Sequence, residues 1–308
     1  LQWRVHMGDA DQAADTELLA AAPDKWTASH RLRGISYLYV KCRYSQDVWS
    51  GMPSVGAVVK GRKLHDPRDG QSRWSDNPAL VIRDYLTADF GLGADADEID
   101  DATFIAAANA CDETVSVNDT GGMQRRYWCG GVIDLDETPM SIIEKLVSSC
   151  AGTLVYSGGR YRLFVGVYRP PVLTLTADDL RGAVKVRTGL PKAELCNAVR
   201  GTFVDGAKNW QAGDFPPVTN AMYEDEDGEP LAKDVAFPFT TDSVLAQRLA
   251  RIVLERARQG ISVGFPGNFS LIRAAVMEPV RLTLPWLGWD RKAFLPVAWS
   301  FGPDGVDL

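Results

Sequence analysis

The sequence predicts an α+β protein that is rich in β-structure and multidomain, with barrel-like β domains and a smaller α+β domain between them. Its 308 residues exceed the usual size of a single hydrophobic core. A composition of 45% hydrophobic and 24% charged residues excludes a chain that is disordered throughout. Short strand-like runs recur along the chain, whereas helical periodicity is confined to a few segments.

Residues 1–70 are predicted to form an N-terminal, barrel-like β segment. Over residues 34–44 the apolar side chains occupy both faces of a predicted strand, which indicates a strand buried on both sides or a barrel wall. A second strand is predicted over 55–60, pairing with 63–65 as a hairpin. The turn-rich stretch 66–70 marks the end of the segment.

Residues 71–170 are predicted to form a small domain of helices and a hairpin. Three helices are expected to begin at capping side chains, namely Asn77, Asp100 or its neighbour, and Thr138. The first and the third are followed by proline, which suits the first helical position. A Gly-Gly turn within 153–167 then predicts a β-hairpin.

Residues 171–308 are predicted to form a second barrel-like β domain, which can complete a barrel with 1–70. One helix is expected, capped by Asp242 or Ser243, and a long polar connection is expected over 205–233. The predicted strands are 172–176, 183–187, 197–203, 261–265, 279–284 and 294–300.

The sequence predicts no catalytic, cofactor-binding or metal-binding residue. Three histidines lie far apart, and the five cysteines lack metal or disulfide spacing, so free thiols in a reducing compartment are expected. The acidic run 95–101 lacks the glycine and glutamate of a calcium loop and suits a helix N-terminus. Asp134, Asp136 and Glu137 could serve a glycosidase, although they too precede a predicted helix.

The charge balance disfavours nucleic-acid binding by the chain as a whole. Lys and Arg number 33 against 40 Asp and Glu, giving a net charge of −7. Binding through phosphate neutralisation needs a basic face, and this average leaves only a local patch open. No segment reaches the roughly 18 consecutive apolar residues of a membrane span, so no stable membrane insertion is expected. The chain begins at Leu1 without an initiator Met or a signal sequence, so we expect a piece of a longer protein.

Two tryptophans, Trp286 and Trp289, form a short apolar turn that is a possible interface with a neighbouring subunit. A loop folded back on its own barrel is an equally good interpretation. Exposed aromatic residues would also suit a receptor-binding or carbohydrate-binding module.

One long motif resembles a known family. The residues W-S-D-N-P-A-L-V-I-R-D-Y-L-T and the following F-G-L-G strongly resemble a stretch of the tail tip family of long-tailed phages, that of host-specificity protein J or the central tail hub. Phe90 stands where the family often has Tyr. The preceding segment 61–68 is similar to the family's hairpin exit. The matching residues are Trp74, Asn77, Pro78, Asp84, Leu86, Thr87, Gly91 and Gly93.

This resemblance implies a virion structural protein rather than an enzyme. It implies that the 71–170 domain is inserted between barrels, and that three copies form a ring joining the sixfold tail tube to a threefold tip. The implied partners are the other copies, the distal tail protein, further tail tip proteins, the tape measure protein and DNA in transit. The implied locations are the virion tail tip and, during assembly, the host cytoplasm. A tail-associated cell-wall or polysaccharide hydrolase and the receptor-binding or carbohydrate-binding module remain the alternatives.

Overall fold

The computed structural model describes residues 1–48, 51–117, 121–303 and 305–308, without the side chain of Ala193. It divides into two compact units, Leu1–Val59 and Lys60–Leu308. Helices and strands both occur in quantity, so the α+β, β-rich class is confirmed. The three-part division at residues 70 and 170 stays a prediction.

Among its described residues, the first unit contains one helix and one antiparallel strand pair. Strand β1 (Gln2–His6) pairs with β2 (Tyr37–Lys41), and α1 (Thr16–Ala21) lies between them in the chain. Buried Asp15 joins the two parts, because its carboxylate accepts from the Leu18 amide at 2.8 Å and lies 2.7 Å from His6 Nε2. The predicted strand over 55–60 is wrong, since those residues have no regular secondary structure.

The second unit begins with a hairpin that lies further along the chain than predicted. Strand β3 (Lys63–Asp66) pairs with β4 (Gln71–Trp74), so residues 67–70 form the turn. The Asp66 carboxylate accepts from the Arg68 amide at 3.0 Å, and the Asp66 carbonyl accepts from Gly70 N at 2.8 Å. This aspartate-led turn closes the hairpin, whereas the hairpin predicted from 55–60 and 63–65 requires the turn at residues 61–62, before β3 begins.

Three helices and two short hairpins follow. The predicted caps Asn77, Asp100 and Thr138 each accept from a backbone amide in the first turn of their helices. Helix α2 packs against both α3 and α4. The elements are α2 (Pro78–Thr87), α3 (Asp101–Asp112), β5 (Thr114–Ser116), β6 (Met123–Arg125), α4 (Pro139–Ser148), β7 (Thr153–Ser157) and β8 (Arg160–Phe164).

The next part of the chain builds a three-stranded sheet under a long helix. Strand β11 (Ala198–Asp205) pairs antiparallel with β12 (Gln211–Thr219) and parallel with β13 (Ala232–Phe237). Helix α6 (Ser243–Ala257) packs on β11 and β12. The long connection expected over 205–233 is therefore wrong, because it contains β12, α5 and the start of β13. The elements are β9 (Leu173–Leu175), β10 (Lys185–Arg187), β11 (Ala198–Asp205), β12 (Gln211–Thr219), α5 (Ala221–Asp227), β13 (Ala232–Phe237) and α6 (Ser243–Ala257).

The last strands form small sheets around a second core. Strand β16 (Val280–Leu284) lies between β9 and β17 (Trp289–Phe294) in one sheet. Strand β19 (Gly305–Asp307) lies between β15 (Pro266–Gly267) and β18 (Ser300–Gly302) in another, and β10 pairs with β14 (Ser262–Gly264). These small sheets do not close into a barrel within the described residues, so the barrel-like shape is not seen. The strands are β14 (Ser262–Gly264), β15 (Pro266–Gly267), β16 (Val280–Leu284), β17 (Trp289–Phe294), β18 (Ser300–Gly302) and β19 (Gly305–Asp307).

Two hydrophobic cores stabilise the second unit. The larger core joins α2, α3 and α4 to the sheet and helix of residues 198–257, with Phe104, Leu146 and Leu249 fully buried. The smaller core lies among the last strands and contains Leu175 and Leu282. Among the helices of the described ranges, none is both long enough and apolar enough to cross a membrane.

Candidate functional site

The candidate site is the motif segment, residues 61–93, which carries the family resemblance. Asn77 lies at its centre and is 1% exposed. Its Oδ1 accepts from the Ala79 amide at 3.0 Å, and its Nδ2 donates to the Ala108 carbonyl at 2.9 Å. Pro78 occupies the first helical position, where its missing backbone N–H removes no hydrogen bond of the helix. One asparagine therefore begins α2 and attaches it to α3.

Replacing Asn77 with alanine is expected to destabilise the chain by about 2–3 kcal/mol, because a helix cap is lost and a buried carbonyl loses its donor. Urea unfolding monitored by circular dichroism measures the loss. Asn220→Ala is the matched control, since Asn220 caps α5 at the surface by accepting from the Met222 amide. Equal losses for the two variants would contradict the role assigned to Asn77.

A buried ion network fixes the hairpin of the motif segment. The fully buried Asp66 carboxylate accepts from Arg68 Nη2 at 2.8 Å and from Arg73 Nη2 at 2.9 Å. Arg68 also reaches α3, where its Nη1 donates to Asp112 Oδ2 at 2.8 Å. The hydrogen bonds from Arg68 hold the pKa of Asp66 below its ordinary value, although burial opposes them. The network therefore ties β3 to α3 through charge as well as packing.

Two glycines of the motif end α2 in a tight loop. An added Cβ at Gly91 would lie 2.0 Å from the Tyr85 carbonyl oxygen, so any side chain collides with buried backbone. Gly93 has φ +69°, a left-handed conformation that favours glycine. Leu86 is fully buried, and the Thr87 hydroxyl donates to the Arg83 carbonyl at 3.1 Å.

The motif also presents side chains at the surface. Trp74 is 41% exposed with the Lys60 ammonium 5.0 Å from its ring centroid, and Phe90 is 43% exposed. Arg62 lies over the Phe90 ring and pairs with Asp84 at 2.8 Å. Most motif residues thus hold a hairpin and two helices together, whereas Trp74, Phe90 and Leu92 expose apolar surface to a partner.

The carboxylates considered for a glycosidase form a helix-start turn instead. Asp134 Oδ1 accepts from the Asp136 amide at 3.1 Å. Glu137 pairs with Lys145 and accepts from the Ser141 hydroxyl at 2.9 Å. These hydrogen bonds, from Lys145 first and then from Ser141, lower the pKa of Glu137. An acid catalyst needs a raised pKa, so the observed environment opposes that role.

The acidic run 95–101 also has local structural roles. Asp95 and Glu98 form a capping box around a short 3-10 helix, Asp100 caps α3, and Asp101 pairs with Arg83 at 2.8 Å. Across the four described ranges, no three His, Cys, Asp or Glu side chains lie close enough together to hold a metal ion.

The prediction of free thiols is confirmed for all five cysteines. Cys42 is exposed and the other four are buried. Burial raises the pKa of Cys150 to about 12, which makes the thiolate scarce at neutral pH. These four thiols therefore act as apolar packing groups.

The two tryptophans of the possible interface differ in exposure. Trp286 belongs to the short 3-10 helix Pro285–Leu287 and is 60% exposed. Trp289 begins β17, packs on the smaller core and contacts Phe294 with ring centroids 5.1 Å apart. Trp286 is available to a partner, whereas Trp289 attaches the edge strand β17 to the smaller core.

Comparison with solved structures shows which known folds this chain resembles. The fold resembles a chain of the "Virion of native gene transfer agent (GTA) particle" with a TM-score of 0.59 and 17% identity, covering 100% of this chain and 70% of that one. The 43 kDa tail protein of prophage MuSo2 from Shewanella oneidensis matches with a TM-score of 0.39 and 15% identity, covering 80% of this chain and 66% of that one. None of the curated proteins matches the sequence. The likeness to the particle chain is one of fold.

The family follows from the sequence itself. A family described as "Putative phage tail protein" matches residues 138–294, which is about half of the chain. The chain belongs to this family of phage tail proteins. The family description names a phage tail protein and no catalytic activity. The carboxylates of residues 134–137 are engaged in their own turn.

Proposed function

We propose that the protein is part of a tail tip hub that joins the sixfold tail tube to a threefold tip and lines the route of the genome. The observation that carries this proposal is the fold. It matches a chain of a virion particle over 100% of this chain and 70% of that one. The motif segment, similar to that of tail tip proteins, supports the same position in the tail. In this role the protein acts by shape and makes or breaks no covalent bond.

Open sheet edges give the proposal a physical basis. Within the described residues, β13 and β17 lie at the edges of their sheets with no strand on the outer side. The other edge of the β13 sheet, β12, contains Pro216 and Pro217, which lack backbone donors. An unprotected edge tends to pair with another chain, and subunit assembly satisfies its backbone groups. The more open edge, β13, is therefore suited to a neighbouring subunit.

Symmetry explains what such pairing would achieve. Three copies that each carry two related β modules would present six similar faces to a sixfold tube, while remaining threefold towards the tip. The proposed partners are the other copies, the distal tail protein, further tail tip proteins and the tape measure protein. The proposed location is the virion tail tip, after assembly in the host cytoplasm.

Light scattering of the purified chain, alone and with the distal tail protein, tests the hub. We expect a trimer in isolation or on the ring formed by that partner, together with capture in a pull-down. A monomer under both conditions would contradict the proposal. Release of fragments from purified cell-wall material would favour the hydrolase alternative.

Replacing Trp286 with serine is expected to weaken subunit association by about tenfold or more, because exposed tryptophans are frequent hot spots of interfaces. Sedimentation equilibrium measures the effect, and thermal unfolding should be unchanged. Trp210→Ser is the matched control, since Trp210 is also exposed, at 46%, at the β11–β12 turn. Equal weakening by both variants would indicate general surface hydrophobicity rather than an interface at Trp286.

A further inference from the structure

The loop between α1 and β2 in the first unit contains a groove with two arginines. This open groove of about 490 Å³ is lined by Ala28, Ser29, Arg31, Leu32 and Arg33. Both guanidinium groups are exposed, and in the part of the chain that the structure describes no carboxylate lies within 4.0 Å of either. Two like charges on one groove repel each other, and an anion between them would remove that cost.

The groove is held in shape by the buried amide of Gln12. Its Nε2 donates to the Arg31 and Leu32 carbonyls at 2.9 and 2.8 Å, and its Oε1 accepts from the Gly8 amide at 2.8 Å. Leu32 has φ +47°, a left-handed conformation that is unfavourable for a residue with a Cβ. Such strain persists where the surroundings fix it and is frequent at binding sites. The backbone that carries the two arginines is therefore held in place beside the groove.

The charge pattern around the groove extends beyond it. Residues 25–46 contain five of the 33 Lys and Arg and none of the 40 Asp and Glu. Lys25 and Arg43, on either side of the groove in sequence, are also exposed and lack a carboxylate within 4.0 Å among the described residues. Lys41 pairs with Glu17 at 3.3 Å, so four cations of this segment have no partner carboxylate among the described residues, and a ligand with more than one negative charge matches them.

We propose that the groove binds the phosphodiester backbone of double-stranded DNA, an inference that rests on the conduit role under Proposed function. Guanidinium groups match phosphate oxygens in pairs, and the Ser29 hydroxyl adds a donor. Duplex DNA carries a charge about every 1.7 Å along its axis, which suits a succession of cations. The acidic remainder of the chain repels DNA, so contact is confined to this segment and stays weak enough for passage.

Fluorescence anisotropy of a labelled 30-base-pair duplex, titrated with the full 308-residue chain over a range of salt concentrations, tests the inference. The double variant R31S/R33S is expected to lower the affinity by about tenfold and the salt slope by about two, since each lost phosphate contact removes about 0.9. The matched control is R160S/R273S, which changes the net charge equally. Both control arginines are exposed and lack a carboxylate within 4.0 Å in the described ranges. The Arg273 Nε caps a carbonyl three residues back, as the Arg31 Nε does.

Several results would overturn the inference. These are no DNA binding by the unaltered chain at low salt, equal losses for the two double variants, or binding to anionic vesicles or to a second copy without binding to DNA. The proposed hub is judged separately, because R31S/R33S should still assemble with the distal tail protein. Normal assembly without DNA binding rejects only the groove, and failed assembly of the unaltered chain rejects the hub.

Discussion

Replacing Gly91 with alanine is expected to destabilise the second unit by about 3 kcal/mol or more, because the new Cβ would overlap with neighbouring backbone atoms. It would lie 2.0 Å from the Tyr85 carbonyl oxygen and 3.2 Å from the Tyr85 ring. Tyr85 is only 2% exposed, and its carbonyl also accepts from the Leu92 amide at 3.1 Å. Relief of the collision therefore requires the end of α2 to unwind or the buried ring to move.

The neighbouring glycine provides the control for this experiment. At Gly93 an added Cβ would meet no atom within 4 Å, and only the left-handed backbone, φ +69°, opposes the substitution. Gly93→Ala is therefore expected to cost about 1 kcal/mol. Urea unfolding of both variants, monitored by tryptophan fluorescence, measures the difference. Similar losses at the two positions would mean that the loop after α2 relaxes freely, contrary to the packing described above.

The helix starts could be read from the sequence because a cap is local chemistry. Asn77, Asp100, Thr138 and Asp242 each accept from an amide two or three residues ahead. A side chain of that type before an apolar stripe contains most of the information needed.

The sheet around β11 could not be predicted in the same way. The Pro216-Pro217 pair and the acidic residues of α5 resemble a loop, although the prolines lie on an edge strand. The parallel partner β13 aligns Ala198 with Ala232, so the pairing depends on residues more than thirty positions apart. No local pattern encodes that pairing.

The motif segment shows the same division between local and distant information. The residues of the motif segment could be recognised in the sequence by their resemblance to a family. The contact of Arg68 with Asp112 could not, because the two residues are 44 positions apart. The average charge left a local basic patch open without locating it, and residues 25–46 were not singled out from the sequence. The contacts of Gln12, which lies outside those residues, show how the groove is shaped.

Replacing Asp66 with alanine is expected to produce a loss of about 3–5 kcal/mol at neutral pH, because the guanidinium groups of Arg68 and Arg73 lose their shared buried carboxylate. The isosteric variant Asp66→Asn separates charge from packing. The hydrogen bonds from Arg68 lower the pKa of Asp66 in the folded chain. The pKa of an unfolded aspartate is about 3.9. The stabilisation is therefore complete above the unfolded value and is lost as the pH falls through the folded one.

The size of the pH-dependent loss distinguishes this network from an ordinary surface pair. The difference in free energy of unfolding between the unaltered chain and Asp66→Asn should be largest near pH 7 and shrink progressively below about pH 4, where the carboxylate of the unaltered chain takes up a proton.

Asp69→Asn is the control, since Asp69 pairs with Arg73 at 2.7 Å but is half exposed, and its removal should cost less. Urea unfolding at pH 3, 5 and 7 measures all three chains. A difference that is independent of pH would show that shape rather than charge makes Asp66 necessary, and equal losses for the two asparagine variants would contradict the importance of its burial.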